Sequence, residues 1–263
     1  MTNQIFLSST LEKTLSRIGE APSSAAGADK IILAHIKSSR RDCLKILSGF
    51  ENNLDLLEHS LTETQNVIAL LEEAGGQTIR ARNMAEEKDG LEKYRDKISE
   101  CAEWYQRTLS RLRELVSRAG ESKDVNLLKG ETLSIRFDVA GKSCLDTLGL
   151  DLTPEGLGIR DPDFTSLHSI QNSRIDIANG IDLAVTLKNM ISSDIATIKT
   201  RREFCEITMS YLTQAQDHLS SPTASASDQA ALLPLIEACQ DFNAEESMAF
   251  ETQSVQLETL KIQ

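Results

Sequence analysis

The sequence predicts a mainly α-helical protein: an elongated bundle of long coiled-coil helices from both chain ends, with a small β-hairpin region. Three observations lead to this prediction. Apolar side chains recur at alternating spacings of three and four, one short span alternates polar and apolar residues, and glycine or proline separates these spans. Because one amphipathic rod cannot bury its own apolar stripe, the rods must pack on each other or on another chain.

Three long helices are predicted from such stripes. The first stripe is Leu33, Ile36, Arg40, Cys43, Leu47, Phe50, Leu54, Leu57, Leu61, Thr64, Ile68 and Leu71. The second is Leu91, Tyr94, Ile98, Cys101, Tyr105, Thr108, Leu112 and Leu115. The third is Ile170, Arg174, Ile177, Ile181, Ala184, Lys188, Ile191, Ile195, Ile198, Arg202, Cys205, Met209 and Leu212. We predict that Leu47, Phe50, Leu54, Leu57 and Leu61 are packing positions.

Short segments between the stripes predict breaks, turns and a hairpin. Gly75-Gly76 is expected to kink or break the first helix. Thr132–Asp138 reads as a half-buried strand, Val139–Lys142 as a turn, and Ser143–Leu148 as the antiparallel return strand. Asp161-Pro162-Asp163 is predicted to cap the third long helix.

The predicted domain organisation follows from two segments rich in small and polar residues, Gly19–Asp29 and Ser220–Asp228, which are typical of linkers. Residues 1–29 are then a short N-terminal helix and linker. Residues 30–219 form a helical rod domain with the hairpin at about 132–148, and residues 220–263 form a linker and a C-terminal helix.

Composition argues against several classes of function. The 263 residues include 28 Lys+Arg and 40 Asp+Glu, so the net charge of −12 predicts that the protein does not bind nucleic acid. No apolar run is long enough to span a membrane, and we expect no membrane association. The first residues lack the basic start and apolar stretch of a cleavable secretory signal, so we expect none.

No residue pattern predicts catalysis, and we expect a protein that is not an enzyme and has no catalytic, cofactor-binding or metal-binding residues. Gly141-Lys142-Ser143 matches only the tail of a phosphate-binding loop, and a hairpin turn explains it better. The four histidines form no i, i+4 pair for a metal ion. The five cysteines are widely and irregularly spaced, which predicts free, mostly buried thiols.

Four basic residues interrupt the apolar stripes, namely Arg40, Arg174, Lys188 and Arg202. They could fix the register of the helices by pairing with acidic residues on neighbouring helices. Alternatively, their aliphatic stems line the groove while their charged ends reach water, which is the interpretation we favour.

The stretches Asp124–Asp138 and Leu145–Ile159 resemble the small β-hairpin region of short bacterial flagellins of the alphaproteobacterial type. Thr200–Phe204 is similar to an Arg–Phe pattern in the returning helix of that family. Asp241–Ser247, with Phe250–Gln253 and Leu257, is similar to the Asp-x-Asn-x-Glu-Glu…Gln-Thr-x-x-x-Leu signature of the flagellin C-terminal region. By this resemblance the further assembly candidates are Arg202, Phe204, Asn243, Glu245, Glu246 and Gln253.

The resemblance implies a structural subunit of the bacterial flagellar filament that self-assembles through coiled-coil helices. It implies export through the flagellar type III apparatus without a cleaved signal, and a location outside the cell. The implied partners are other flagellin subunits, a flagellar export chaperone and hook-associated proteins, with no cofactor.

Two alternatives stay open. A hook–filament junction protein shares the terminal helices, although the flagellin-type hairpin favours flagellin. A cytosolic adaptor or regulator derived from a flagellin would not enter the filament. The five cysteines favour that alternative, as does Thr252–Val255, which stands where flagellins have Gln-Thr-Arg-Gln.

Overall fold

A computed structural model describes residues 25–120 and 125–220. This part of the chain is mainly helical and contains a two-stranded antiparallel sheet. In chain order, the elements are α1 (Ala25–Ala85), α2 (Gly90–Lys93), α3 (Arg95–Arg118), β1 (Thr132–Arg136), β2 (Cys144–Leu148) and α4 (Leu167–Ser220). Helix α1 begins inside the segment predicted as the first linker. The short helix predicted before it and the predicted C-terminal helix lie outside the described residues.

The chain divides into two compact units. The described part of the central unit comprises residues 49–120, 125–135 and 144–200. The described part of the terminal unit comprises residues 25–48, 136–143 and 201–220. The domain boundaries drawn from the linker segments stay a prediction.

Within the central unit, α1 and α4 are antiparallel neighbours. Glu58 Oε1 lies 2.9 Å from Lys199 Nζ. Farther along α1, a Cβ atom at Gly75 would lie 3.4 Å from the Ile177 side chain. Residue numbers therefore rise along α1 as they fall along α4. Helix α3 also lies against α1, because Arg111 Nη1 is 3.0 Å from Glu73 Oε2.

The predicted apolar stripes supply most of the core of the central unit. On α3 the buried members are Ile98, Cys101, Tyr105, Thr108 and Leu112. On α4 they are Ile170, Ile177, Ala184, Ile191, Ile195 and Ile198. The predicted pattern of burial on these two helices is therefore largely confirmed.

On α1 the buried line broadens beyond the predicted stripe after Leu57. Thr64 and Leu71 of the stripe are fully buried, but the predicted Leu61 and Ile68 are half-buried while their neighbours Ser60 and Val67 are buried. A strict three-four repeat averages 3.5 residues per turn and a straight helix has about 3.6, so the stripe drifts around the helix by about 20° per heptad. The same one-residue shift makes Val116, rather than Leu115, the buried residue near the end of α3.

The predicted break at Gly75-Gly76 is wrong, because α1 continues through both residues to Ala85. Gly75 faces Ile177 of α4, where a Cβ atom would be in ordinary van der Waals contact. Neighbouring helices that bury one side of α1 outweigh the weak helix propensity of two glycines.

The predicted hairpin is confirmed, with β1 ending two residues earlier than expected. Leu133 and Ile135 of β1 are buried while the residues between and beside them are exposed. Across the sheet, the Ser134 hydroxyl donates to Asp146 Oδ1 at 2.5 Å, and Thr147 is fully buried. One face of the hairpin therefore packs on the central unit.

Helix α4 has a different cap from the one predicted at Asp161-Pro162-Asp163. The Ser169 amide donates to Ser166 Oγ at 3.1 Å, and the Ser166 amide donates to Ser169 Oγ at 3.2 Å. This reciprocal pair is a capping box. Asp163 instead closes a turn, because its Oδ1 accepts a hydrogen bond from the Thr165 amide at 3.1 Å.

Candidate functional site

The predicted packing positions of α1 in the central unit form part of its core. Phe50, Leu54 and Leu57 are 1%, 5% and 0% exposed, and Leu61 is half-buried. Side chains this deeply buried have almost no surface left for a second chain. These three residues therefore stabilise the chain itself, and any direct contact with a second chain must involve other residues.

In the terminal unit, Phe204 is buried and Leu47 and Arg202 are half-buried. Arg202 Nε donates to Glu206 Oε1 at 2.9 Å, an ion pair one turn apart on α4. The remaining candidates from the resemblance, Asn243, Glu245, Glu246 and Gln253, lie outside the described residues. A role in assembly stays a prediction for all of these positions.

The basic residues within the stripes have different surroundings. The Arg40 guanidinium donates to the side-chain carbonyl of Gln216, so α1 and α4 are joined across the terminal unit by a polar contact. Arg202 pairs with an acid on its own helix. Arg174 and Lys188 are half-buried in the central unit. The Arg40 contact joins two helices and can therefore fix their register.

A buried asparagine fastens the hairpin region to the end of α3. Asn126 Nδ2 donates to the Val116 carbonyl at 2.9 Å, and Asn126 Oδ1 accepts from the Leu128 amide at 3.0 Å. The backbone amide of Asn126 donates to Glu131 Oε2 at 2.8 Å. Asn126 lies within Asp124–Asp138, one of the stretches on which the expected resemblance rests, and no sequence pattern predicts its role.

The two halves of that stretch are joined by backbone hydrogen bonds. The Leu150 amide donates to the Leu127 carbonyl at 2.9 Å, and the Leu152 amide donates to the Leu128 carbonyl at 2.8 Å. Gly149 fits between these segments because a Cβ atom there would lie 2.3 Å from the Leu127 carbonyl oxygen. The segments before β1 and after β2 therefore form one compact structure.

The phosphate-loop-like residues Gly141-Lys142-Ser143 form the hairpin turn. Gly141 has φ +67°, a conformation that favours glycine. The Lys142 amide donates to Asp138 Oδ1 at 3.0 Å, and the Ser143 amide donates to Asp138 Oδ2 at 2.8 Å. A phosphate-binding loop offers such amides to the ligand, and here an internal carboxylate already accepts them.

An open groove of about 610 Å³ separates α1 from α3 in the central unit. Its size is within the range of ligand sites, but such sites are mostly apolar. Here Arg111 pairs with Glu73 and Arg118 pairs with Glu114, so the lining charges satisfy one another. The groove presents no convergent set of unpaired polar groups to a small molecule.

Cys43, Tyr105 and Asp194 are among the buried or half-buried titratable groups that have shifted pKa values. Burial, with a smaller effect from Asp42, raises the pKa of the Cys43 thiol to about 11. Burial and then Asp176 raise the pKa of Tyr105, whose ring meets Phe164 edge-on with centroids 5.7 Å apart. Burial raises the pKa of Asp194, and the nearby Thr147 side chain opposes this shift. All three are explained by packing.

The predicted thiols are free at Cys43 and Cys101, which are buried, and at Cys144, which is exposed. Cys205 is also buried. Cys239 lies outside the described residues. Within residues 25–120 and 125–220, no group of three or more His, Cys, Asp or Glu side chains could hold a metal ion. Over the same residues, no helix is long and apolar enough to cross a membrane.

Neither a protein-family model nor a curated protein matches this chain. Function is therefore inferred from the residues and contacts described above.

Proposed function

We propose that this chain is a structural subunit of the bacterial flagellar filament, similar to flagellin, assembling through coiled-coil helices from both chain ends. The observation that carries the proposal is the folded state of the stretch that resembles flagellin. Asn126 fastens this hairpin region to α3, and the region lies in the chain between two long helices that pair antiparallel. In this proposal the protein lies outside the cell and its partners are other flagellin subunits, an export chaperone and hook-associated proteins.

The helices support the proposal because they are long and carry extended apolar stripes. Helix α1 has 61 residues and α4 has 54. Globular helices average three to four turns. A filament subunit needs long helices that run beside one another, and the Glu58–Lys199 contact places α1 and α4 in that arrangement.

The hairpin region supports the proposal because the residues that make its hydrogen bonds belong to the stretch that resembles flagellin. Hydrogen bonds are made there by Asn126 and Glu131, and Gly149 leaves room for the Leu127 carbonyl oxygen. A resemblance confined to surface residues would be weaker support, since surface positions are little constrained by the fold.

Peptide mass spectrometry on sheared, washed filaments and on the cytosolic fraction of the source cells tests the proposal. Recovery of the chain in filaments is expected. A strain that lacks the export apparatus should retain the chain in the cytosol. Asn126→Ala should lower recovery in filaments because it loosens the hairpin, whereas Asn66→Ala, at an exposed position on α1, should not. Complete absence of the chain from filaments contradicts the proposal.

A cytosolic adaptor or regulator derived from a flagellin is the second candidate. The observation that favours it is the pair of free buried thiols at Cys43 and Cys101, because free cysteines are more common in reducing compartments. Confinement of the chain to the cytosol, together with co-purification of flagellin or its chaperone, is the result that this candidate predicts.

A further inference from the structure

Helix α1 has a basic face in the terminal unit. Lys37, Arg41 and Lys45 are exposed and lie four residues apart, so they share one side of the helix. Leu44 lies beside them and is 54% exposed. Residues 30–48 contain five Lys and Arg residues and one Asp, whereas the whole chain has a net charge of −12. We call Lys37, Arg41, Leu44 and Lys45 the basic face.

The charged side chains of the basic face repel one another. Arg41 has a basic residue one turn before it, Lys37, and another one turn after it, Lys45. Like charges four residues apart destabilise a helix, whereas opposite charges stabilise it. Farther along the same helix the spacing does pair opposite charges, because Arg82 Nε lies 2.7 Å from Glu86 Oε1. A partner that laid carboxylates along the basic face would remove the repulsion there.

We infer that the basic face binds the acidic C-terminal segment of the same chain, residues 229–263. This segment contains six Asp and Glu residues and one Lys, and its apolar spacing predicts a helix. We call it the acidic segment. The inference goes beyond the proposed function and does not rest on it, because it concerns a contact within one chain and not a contact between subunits.

The carboxylates of the acidic segment have the same spacing as the basic side chains. Glu237, Asp241 and Glu245 are four residues apart. Two helices that lie side by side can therefore place each of these carboxylates next to a basic side chain. Phe242 is three residues before Glu245 and shares its side of the helix. It can therefore cover Leu44, the exposed apolar residue of the basic face.

The path of the chain favours the acidic segment over a second copy as the occupant. The Arg40 guanidinium donates to the Gln216 side chain, so the last turns of α4 lie beside the part of α1 that carries the basic face. Eight residues join Ser220, the end of α4, to Gln229. A segment tethered so closely has an effective concentration in the millimolar range. Exposed ion pairs are individually weak, and the tether makes a weak contact sufficient.

The connection also favours an acidic segment that runs parallel to α1. Helix α4 is antiparallel to α1, so a chain that reverses after α4 runs in the direction of α1. Eight residues span up to about 26 Å, and packed helix axes are only about 8–10 Å apart. Glu237 then lies near Lys37, and Glu245 lies near Lys45. Pro234 precedes both acids, so the helix that carries them can begin there.

Carbodiimide cross-linking of the purified full chain at low micromolar concentration tests the inference, because the reagent joins lysines to carboxylates that they contact. Peptide mass spectrometry should find links from Lys37 to Glu237 and from Lys45 to Glu245. Lys88, an exposed lysine of the central unit, is the control and should give no link to the acidic segment. High salt should lower the yield of the expected links, because it screens exposed ion pairs.

An equimolar mixture of isotopically labelled and unlabelled chains identifies which chain supplies the acidic segment. Contacts within one chain give links only between two labelled peptides or between two unlabelled peptides, and this is the expected result. Contacts between copies also give links between a labelled peptide and an unlabelled one. Those mixed links would identify a second copy as the occupant.

Charge reversal tests whether these charges position the acidic segment. Arg41→Glu should lower the yield of the link between Lys45 and Glu245 about three- to fivefold, because repulsion replaces an exposed ion pair. Asp241→Arg should lower it by a similar factor. The chain that carries both substitutions should regain most of the yield. Glu258→Arg makes the same change of charge outside the three matched acids, and it should leave the yield unchanged.

Three results would overturn the inference. They are the absence of links between the acidic segment and the basic face, links found only between copies, and a double variant that regains nothing. Circular dichroism checks that each variant keeps its helical content, and Arg41→Gln replaces Arg41→Glu if that variant loses it. The measurement uses the purified chain, so its result does not depend on whether the chain enters filaments.

Discussion

The side-chain amide of Asn126 donates a hydrogen bond to the backbone carbonyl of Val116 at 2.9 Å. Val116 lies in the last turn of α3, where carbonyl groups lack partners within the helix. The Asn126 side-chain oxygen accepts the Leu128 amide at 3.0 Å. The buried Asn126 side chain therefore joins the end of α3 to the start of the hairpin region. Shortening it would leave the Val116 carbonyl and the Leu128 amide without these hydrogen bonds.

Asn126→Ala should lower the free energy of unfolding by about 2–3 kcal/mol, because it leaves the Val116 carbonyl and the Leu128 amide unpaired in a buried place. Urea unfolding followed by circular dichroism measures the change. The control is Asn66→Ala, at an exposed residue of α1 that bonds Glu63, with an expected change within about 0.5 kcal/mol. Equal effects of the two substitutions would show that the Asn126 hydrogen bonds do not stabilise the hairpin region.

Periodicity predicted the long helices because burial on a helix follows a short repeat that one sequence displays. Ile177, Ile191 and Ile198 illustrate this, since each lies on the predicted stripe and is buried in α4. The hairpin was predictable for the same reason, because Leu133 and Ile135 alternate with exposed residues. A local sequence pattern was therefore sufficient to predict a helix or a strand wherever one face of that element packs on the core.

Prediction from the sequence failed where residues distant in the chain determine the local structure. Gly75 is helical because α4 packs against α1 at Ile177, a partner about a hundred residues away in the chain. The role of Asn126 depends on the Val116 carbonyl, which only the folded turn brings within reach. The cap of α4 was also missed, because Ser169 stands where the usual capping-box pattern has Glu or Gln.

Leu57→Ala should lower the free energy of unfolding by about 2–5 kcal/mol, because Leu57 is fully buried in the central unit and its truncation leaves a cavity. Chemical denaturation of the purified chain measures the loss. Ile79→Ala on the same helix, where the side chain is 50% exposed, should change stability by about 0.5 kcal/mol or less. A Leu57→Ala protein as stable as Ile79→Ala would contradict the assignment of Leu57 to the core.

Asp194→Asn should make the protein more stable than wild type at pH 7. Burial raises the pKa of Asp194 above its unfolded value, so folding favours the protonated carboxyl. That contribution is fully present below the unfolded pKa of about 4 and is lost as pH rises through the folded pKa. The advantage of the asparagine variant should therefore shrink as pH falls from 7 towards 4.

Urea titrations of wild type and Asp194→Asn at several pH values measure this difference. The control is Asp55→Asn, because it replaces an exposed carboxylate of α1 by the same amide. An advantage of Asp194→Asn that stays constant with pH, or a less stable variant at pH 7, would rule out burial of the carboxylate as the cause.

Gly76→Ala should raise the free energy of unfolding by about 0.5–1 kcal/mol, because alanine favours the helical backbone and nothing lies within 4 Å of the new Cβ atom. Gly149→Ala should have the opposite effect and lower stability by about 1–3 kcal/mol, because its Cβ atom would lie 2.3 Å from the Leu127 carbonyl oxygen. Thermal and urea unfolding of both variants provide the comparison. If Gly76→Ala destabilised the protein, a break in α1 at Gly75-Gly76 would again be the better description. If Gly149→Ala left stability unchanged, the two halves of the hairpin region could separate at little cost in free energy.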